Sequence, residues 1–74
     1  MTLGETIKYY RTQLNLSQAE LADRIGVSRQ AVTKWETDTG IPDINNIQIL
    51  AKLFHISIDT LLSSDNHVQS LYES

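Results

Sequence analysis

The chain has 74 residues, of which 41% are apolar and 20% are charged, and it contains no cysteine. This is the composition of one small globular domain, and it excludes a multidomain enzyme, a disulfide framework and a thiolate metal site. The net charge of −3 argues at first against a nucleic-acid partner, but five of the six basic residues lie in residues 1–36, so that half is close to neutral and the negative charge falls on the second half.

Apolar spacing and capping residues predict five short helices and no strand. The helix starts are predicted at capping boxes or single capping side chains, which are Thr2 with Glu5, Ser17 with Glu20, Ser28, Asp43 and Ser57. Asn15 and Gly26 are predicted to end the first two helices, and Pro42 separates the third from the fourth. The residues predicted to face the core are Leu3, Ile7, Tyr10, Leu14, Leu21, Ala22, Ile25, Ala31, Val32, Trp35, Ile44, Ile47, Leu50, Ala51, Phe54, Ile58, Leu61 and Leu62.

We therefore predict an all-α fold in which residues 1–64 form a compact five-helix domain. Residues 65–74 are polar, and we expect them to be a loose terminus, a linker or a dimer arm. No apolar run approaches the roughly 20 residues of a membrane span, and charged residues occupy the place of a secretory signal's apolar region. We expect a cytoplasmic protein without a membrane partner.

The sequence shows no grouping of side chains with the chemistry of catalysis. The two histidines, His55 and His67, have no acidic neighbours at the spacing of metal ligands. The chain also has no Gly-rich phosphate loop and no recognisable Ser-His-acid arrangement. We expect no enzyme activity, no metal and no cofactor.

The second and third predicted helices are joined by a short turn that contains Gly26, which is typical of a helix-turn-helix. Ala22, four residues earlier, is small enough for the two helices to cross closely. If Val32 and Trp35 are buried, helical periodicity turns the opposite face of the third helix to solvent. The residues on that face are Arg29, Gln30, Thr33 and Lys34.

The residue types on this outward face are those that recognise DNA bases in the major groove. Arg and Lys pair with guanine, Gln pairs with adenine, and Thr donates to a base or contacts a thymine methyl group. The face holds no acid, although a surface helix that serves only solubility usually mixes in Glu or Asp. Taken alone, Arg29 and Lys34 fit solvated charges better, because exposed Arg and Lys are common, and it is the helix-turn-helix motif that favours base readout.

The segment from Leu16 to Glu36 (LSQAELADRIGVSRQAVTKWE) closely resembles the motif of the lambda-repressor-like (Cro/CI, XRE-type) helix-turn-helix family. The resemblance extends over residues 3–62, and the residues whose spacing carries it are Gln18, Ala22, Gly26, Val32 and Trp35. It implies sequence-specific binding of double-stranded DNA by a transcriptional regulator. Such a regulator is commonly a repressor and acts as a homodimer on a two-fold operator.

The resemblance also implies roles for individual positions. The positions that match base contacts are Arg29, Gln30, Thr33 and Lys34. Those that match contacts with the DNA backbone are Gln18, Ser28, Thr37, Thr39, Asn45 and Asn46. Arg11 and Glu36 match a structural ion pair, and Gln18 is also expected to brace the third helix. Many relatives carry Lys or Arg in the loop after that helix, whereas this chain has Asp38, which we expect to repel a phosphate.

Two questions stay open at the level of sequence. The candidates for dimer contacts are Ile58 and Leu62 in the fifth helix and Val68, Leu71 and Tyr72 in the tail. The alternative function is a protein-interaction module of the same fold, such as an antitoxin subunit or an adaptor, whose protein partner is unknown. The acidic second half favours that alternative, and the acid-free face of the third helix opposes it.

Overall fold

Five capping side chains determine where the helices of this protein begin. The computed structural model describes residues 1–63, and its helices are α1 (Leu3–Gln13), α2 (Gln18–Ile25), α3 (Arg29–Glu36), α4 (Ile44–Phe54) and α5 (Ile58–Leu62). Within these residues there is no strand. The prediction of five helices is therefore confirmed, and each begins directly after the capping residue that the sequence indicates.

Both capping boxes are formed with reciprocal hydrogen bonds. The Thr2 hydroxyl accepts from the backbone N–H of Glu5 at 3.1 Å, and the Glu5 carboxylate accepts from the Thr2 N–H at 2.8 Å. Ser17 and Glu20 repeat this arrangement at 3.0 and 2.8 Å. The hydrogen bonds from Ser17 lower the pKa of the Glu20 carboxyl, because they favour its ionised form.

The turns between helices depend on residues in the left-handed region of backbone conformation. Gly26 has φ 76° and ends α2, as predicted, and Asn15 has φ 58° directly after α1. His55 at the end of α4 and Asp38 in the loop before α4 also have positive φ, which the sequence did not indicate. Non-glycine residues adopt this conformation at a cost, so each of these turns is held by surrounding contacts.

The core lies between the inner faces of all five helices. Its buried apolar side chains are Leu3, Ile7, Leu16, Leu21, Ala22, Ile25, Val32, Trp35, Ile47, Leu50, Ala51, Phe54, Leu61 and Leu62. Tyr10 is half-buried and stacks on Phe54 with ring centroids 5.5 Å apart. Trp35 is thus a core residue and has no exposed ring face for stacking on a base.

Two of the predicted core positions are wrong. Ile44 is 44% exposed, because it is the first residue of α4 and its neighbours Asp43 and Asn45 are exposed too. Leu14 is 41% exposed, because α1 ends there and the chain turns away at Asn15. In both cases the helical spacing is right, but the position lies at a helix end.

The start of α1 lies directly against the end of α3, and Gly4 makes this possible. A Cβ atom at Gly4 would lie 2.3 Å from the carbonyl oxygen of Trp35 and 2.9 Å from that of Glu36. Both oxygens belong to the backbone, so neither can move without shifting a helix. Gly4 therefore sets the distance between α1 and the helix that carries the candidate base contacts.

Some expectations fall on residues beyond this part of the chain. The segment 65–74 lies outside the described residues, and so do the dimer candidates Val68, Leu71 and Tyr72. Of the helices in residues 1–63, none combines the length and the apolar character needed to cross a membrane.

The close approach at Gly4 predicts that Gly4→Ala lowers the free energy of unfolding by about 3 kcal/mol, the upper end for overpacking a core. Gly26→Ala is the matched control, since a Cβ at Gly26 meets no atom within 4 Å and only its positive φ opposes the change. The control should cost about 1 kcal/mol. Urea unfolding measures both, and a larger loss for Gly26→Ala than for Gly4→Ala would contradict the role assigned to Gly4.

Candidate nucleic-acid interface

A buried ion pair joins the first helix to the last turn of α3. The Arg11 Nε donates to Glu36 Oε2 at 2.6 Å, and its Nη2 donates to Oε1 at 3.0 Å. The third nitrogen, Nη1, donates to the carbonyl oxygen of Leu16 at 2.7 Å. Both side chains are almost fully buried, and the hydrogen bonds to Glu36 raise the pKa of the Arg11 guanidinium. The end of α3 is therefore held by a charged, two-point contact.

The Gln18 side chain extends this network to the exposed face of α3. Its Nε2 donates to Glu36 Oε1 at 3.1 Å, and its Oε1 accepts from the Thr33 hydroxyl at 2.9 Å. Gln18 is the first residue of α2, so one amide connects the start of α2 with α3 at two points. A continuous chain of hydrogen bonds thus runs from Arg11 in the interior to Thr33 at the surface.

The four base contacts that were predicted from the sequence line one groove. We call this groove the α3 groove, and its lining residues are Gln18, Ser28, Arg29, Gln30, Thr33 and Lys34. All but Gln18 are exposed, and among residues 1–63 no acidic residue lines the groove. The acids of α2, Glu20 and Asp23, lie outside the lining. The groove therefore presents two cationic side chains and several polar groups with no negative charge among them.

Two of the expected backbone contacts in the α3 groove keep a hydrogen-bond donor. The Ser28 hydroxyl accepts from the Ala31 N–H at 3.1 Å, and its own proton has no acceptor within residues 1–63. Gln18 uses one amide hydrogen on Glu36, and the amide carries a second. Since a phosphate only accepts hydrogen bonds, both side chains have what such a contact requires.

The other four expected backbone contacts lie outside the α3 groove. Thr37 and Thr39 close the end of α3, where the Thr37 hydroxyl donates to the Thr33 carbonyl at 2.9 Å and the Thr39 hydroxyl donates to the Lys34 carbonyl at 3.3 Å. To donate to a phosphate, either hydroxyl would have to break its hydrogen bond with the carbonyl. Asn45 and Asn46 lie in the first turn of α4, and Asn45 is exposed.

Backbone N–H groups of the α3–α4 loop are also engaged within the protein. The N–H of Thr39 donates to the Lys34 carbonyl at 2.9 Å, and that of Gly40 donates to the same oxygen at 3.2 Å. The N–H groups of Thr37 and Asp38 donate to Thr33 and Trp35. This loop therefore serves as a cap for α3.

The carboxylate of Asp38 has a structural role that the sequence reasoning missed. It accepts from the Gly4 N–H at 3.0 Å and from the Thr2 hydroxyl at 2.7 Å. Its negative charge is thus placed at the start of α1, where the helix dipole favours it. The sequence led us to expect that Asp38 repels a phosphate, and this contact was not predicted. The partners are 34 and 36 residues apart, so no local pattern could have indicated them.

The two dimer candidates of α5 differ in exposure. Leu62 is 3% exposed and belongs to the core of its own chain, so it has no surface left for a second copy. Ile58 is half-buried and packs against the core from outside. Sequence reasoning also missed a set of exposed isoleucines, which are Ile41, Ile44 and Ile49. Over residues 1–63 no group of His, Asp or Glu could hold a metal ion.

The Asp38 contact predicts a measurable loss of stability when it is removed. Asp38→Gly keeps a residue that accepts positive φ but lacks the carboxylate, and we expect it to lower the free energy of unfolding by about 1–2 kcal/mol. Asp23→Asn is the control, since it removes the same charge from an exposed position of α2 and should change stability by less than about 0.5 kcal/mol. Equal effects of the two substitutions in urea unfolding would contradict the contact's importance.

Comparison with known proteins agrees with this geometry. The helix-turn-helix family model matches residues 7–61. The chain is 38% identical over 65 residues to the HTH-type transcriptional activator BcrR of Enterococcus faecalis, covering 88% of this chain and 32% of BcrR. It is 36% identical over 61 residues to the CTXphi repressor RstR of Vibrio cholerae, covering 82% and 54%. The chain thus spans between a third and about half of the length of these relatives.

Solved structures match over most of the described fold. The P22 c2 repressor, in a crystal structure with a synthetic operator, superposes with a TM-score of 0.81 at 35% identity, covering 88% of this chain and 98% of that one. The biofilm regulator SinR in complex with DNA gives a TM-score of 0.74 at 28% identity, covering 81% and 97%. Together with the family match, the five-helix architecture and the helix-turn-helix at α2 and α3 show that this chain belongs to the lambda-repressor-like (Cro/CI, XRE-type) helix-turn-helix family.

Proposed function

We propose that this chain is a sequence-specific DNA-binding domain of a transcriptional regulator, and that it places α3 in the major groove. The observation that carries the proposal is the α3 groove, an exposed and acid-free face whose orientation is held by the Arg11–Glu36 ion pair. A helix of this width fits the major groove, where base edges present a distinct pattern for each base pair. The P22 c2 repressor and SinR, which share the fold, are each named in complex with DNA.

In this proposal the residues of the α3 groove divide into two roles. The side chains that read bases are Arg29, Gln30, Thr33 and Lys34. Gln18 and Ser28 contact phosphates with the donors described above, and Asn45 and Asn46 contact a second stretch of backbone from the start of α4. Thr37 and Thr39 donate to the DNA backbone only after their hydroxyls break the hydrogen bonds with the α3 carbonyls.

We further propose that the regulator is a repressor that binds as a homodimer. RstR is named a repressor and BcrR an activator, so the relatives include both repressors and activators. A dimer bound at a promoter blocks RNA polymerase simply by occupying the site. Repression of this kind needs no additional surface for contacting the polymerase. The half-sites of a two-fold operator would then lie about 34 Å apart, one turn of DNA. Ile58 and the tail residues Val68, Leu71 and Tyr72 are the proposed dimer contacts.

The exposed isoleucines favour a second candidate function. Ile41 is 53% exposed and Ile44 44%, both near the start of α4. A contiguous exposed apolar patch is typical of a protein contact, and the two isoleucines are three residues apart in the sequence. The same fold could therefore bind a different protein, as an antitoxin subunit or an adaptor does. Footprinting on the promoter region of the chain's own gene tests the first function, since a module that binds only protein produces no protection there.

The central test of the DNA-binding proposal compares two arginines of the motif. We expect Arg29→Ala to weaken binding to a selected operator by about 1–3 kcal/mol and to relax discrimination at one base pair. Arg24→Ala removes an equal charge from an exposed position of α2 outside the α3 groove, so it should leave base discrimination unchanged. Fluorescence anisotropy with the operator and with single-base variants measures both. Equal losses on specific and random duplexes for Arg29→Ala would show that Arg29 does not read a base.

The dimer proposal predicts two protein chains for each operator duplex. Analytical ultracentrifugation of the full chain, alone and with a duplex that carries both half-sites, measures this ratio. A duplex with a single half-site is the control, and it should bind more weakly and take up one chain. A monomer at every protein concentration, together with one chain per two-half-site duplex, would contradict the homodimer.

A further inference from the structure

We propose that Thr33 reads the operator through its methyl group, which contacts the C5 methyl of a thymine, while its hydroxyl serves the protein. The inference rests on the proposed function above and assigns a base chemistry to one residue of the α3 groove. Residue type leaves two ways for threonine to meet a base, by its hydroxyl or by its methyl. The hydrogen bonds of this structure occupy the one proton of the hydroxyl, which removes donation to a base and so favours the methyl.

The only proton of the Thr33 hydroxyl is directed at two protein acceptors. It donates to Gln18 Oε1 at 2.9 Å and to the backbone carbonyl of Arg29 at 3.1 Å. A carbonyl oxygen cannot donate, so the hydroxyl has to be the donor in both contacts. The acceptors on bases, such as guanine O6 and thymine O4, therefore compete with two partners that are already in place.

The orientation of the Gln18 amide fixes this assignment. Its Nε2 donates to Glu36 Oε1 at 3.1 Å, and the Arg11 guanidinium holds the same carboxylate. A flipped amide would turn its oxygen toward the carboxylate, and two acceptors would then face each other. Gln18 Oε1 consequently stays directed at Thr33, and the network that begins at Arg11 keeps the Thr33 hydroxyl turned toward α2.

A threonine whose hydroxyl is fixed also has a fixed methyl, because one torsion angle places both groups. Thr33 is exposed and lines the α3 groove, and its neighbours there are the polar side chains Arg29, Gln30 and Lys34. The methyl is thus an apolar group within a polar face. In the major groove the matching apolar group on the bases is the thymine methyl, which distinguishes an A·T pair from all others.

The experiment removes one methyl group from each side of the contact. An operator is first selected from random duplexes with the wild-type chain, and each thymine is then replaced in turn by deoxyuridine, which lacks only the C5 methyl. Binding is measured for the wild type and for Thr33→Ser, which keeps the hydroxyl and loses the methyl. We expect one deoxyuridine position per half-site that weakens wild-type binding about four-fold, as for one buried methyl group. The Thr33→Ser chain should bind the duplex with deoxyuridine at that position as strongly as it binds the duplex with thymine.

A matched control is Thr12→Ser on α1. Thr12 is also exposed, and its hydroxyl donates to the Tyr9 carbonyl at 2.9 Å, but it lies outside the α3 groove. This variant should respond to deoxyuridine as the wild type does. Thermal unfolding of both serine variants verifies that neither change acts through stability.

Three results would overturn the proposal while leaving DNA binding intact. The first is a Thr33→Ser chain that still loses about four-fold at the same deoxyuridine position, the second is a wild type that is insensitive at every thymine, and the third concerns a valine variant. A Thr33→Val chain that loses its preference for a base other than thymine would show that the hydroxyl reads a base. If the initial selection yields no preferred sequence, the proposed function itself fails, and the inference about Thr33 fails with it.

Discussion

The interaction on which this structure depends is the buried contact of Arg11 with Glu36. The two charges are removed from water, so each requires the other, and breaking such a pair from one side typically costs about 3–5 kcal/mol. That is a large part of the stability of a domain of this size. Glu36 is the last residue of α3, and Arg11 lies in the last turn of α1. The pair therefore holds the last turn of α3 against α1 and, together with the buried Val32 and Trp35, keeps the opposite face of α3 outside.

The remaining contacts hold α3 at both of its ends. Ser28 caps its start, and Thr37, Thr39 and Gly40 cap its last carbonyls. Gln18 adds a bridge from α2 along the side of the helix. A short helix of 8 residues that is fixed at so many points presents its outer side chains in a set geometry. Such a helix can meet a rigid duplex without losing much conformational freedom, which is the physical basis of the proposed readout.

Local patterns allowed much of the fold to be predicted from the sequence. The five capping residues and Gly26 act on backbone groups within four residues of themselves, so their effect does not depend on the rest of the chain. The outward face of α3 also followed from local periodicity once Val32 and Trp35 were taken as core.

What could not be predicted depends on distant contacts. Asp38 binds the start of α1 more than 30 residues away, and the hydroxyls of Thr37 and Thr39 donate to carbonyls of α3. Ile44 follows the periodicity of α4 and is still 44% exposed at its first position, although Pro42 before it and Ile47 after it are buried. For the candidate site, the sequence indicated which side chains share a face, and only the structure showed which of their hydrogen-bond donors remain for DNA.

The claim that α3 is the DNA-reading element is tested most directly by NMR titration of the labelled full chain with a selected operator duplex. If α3 reads DNA, amide resonances change most at the start of α2, throughout α3 and at the start of α4, and those of α5 change little beyond the effects of pairing with a second copy. A titration in which the largest changes fall on α1 and the end of α4, with the amides of Arg29, Gln30 and Lys34 unmoved, would contradict it.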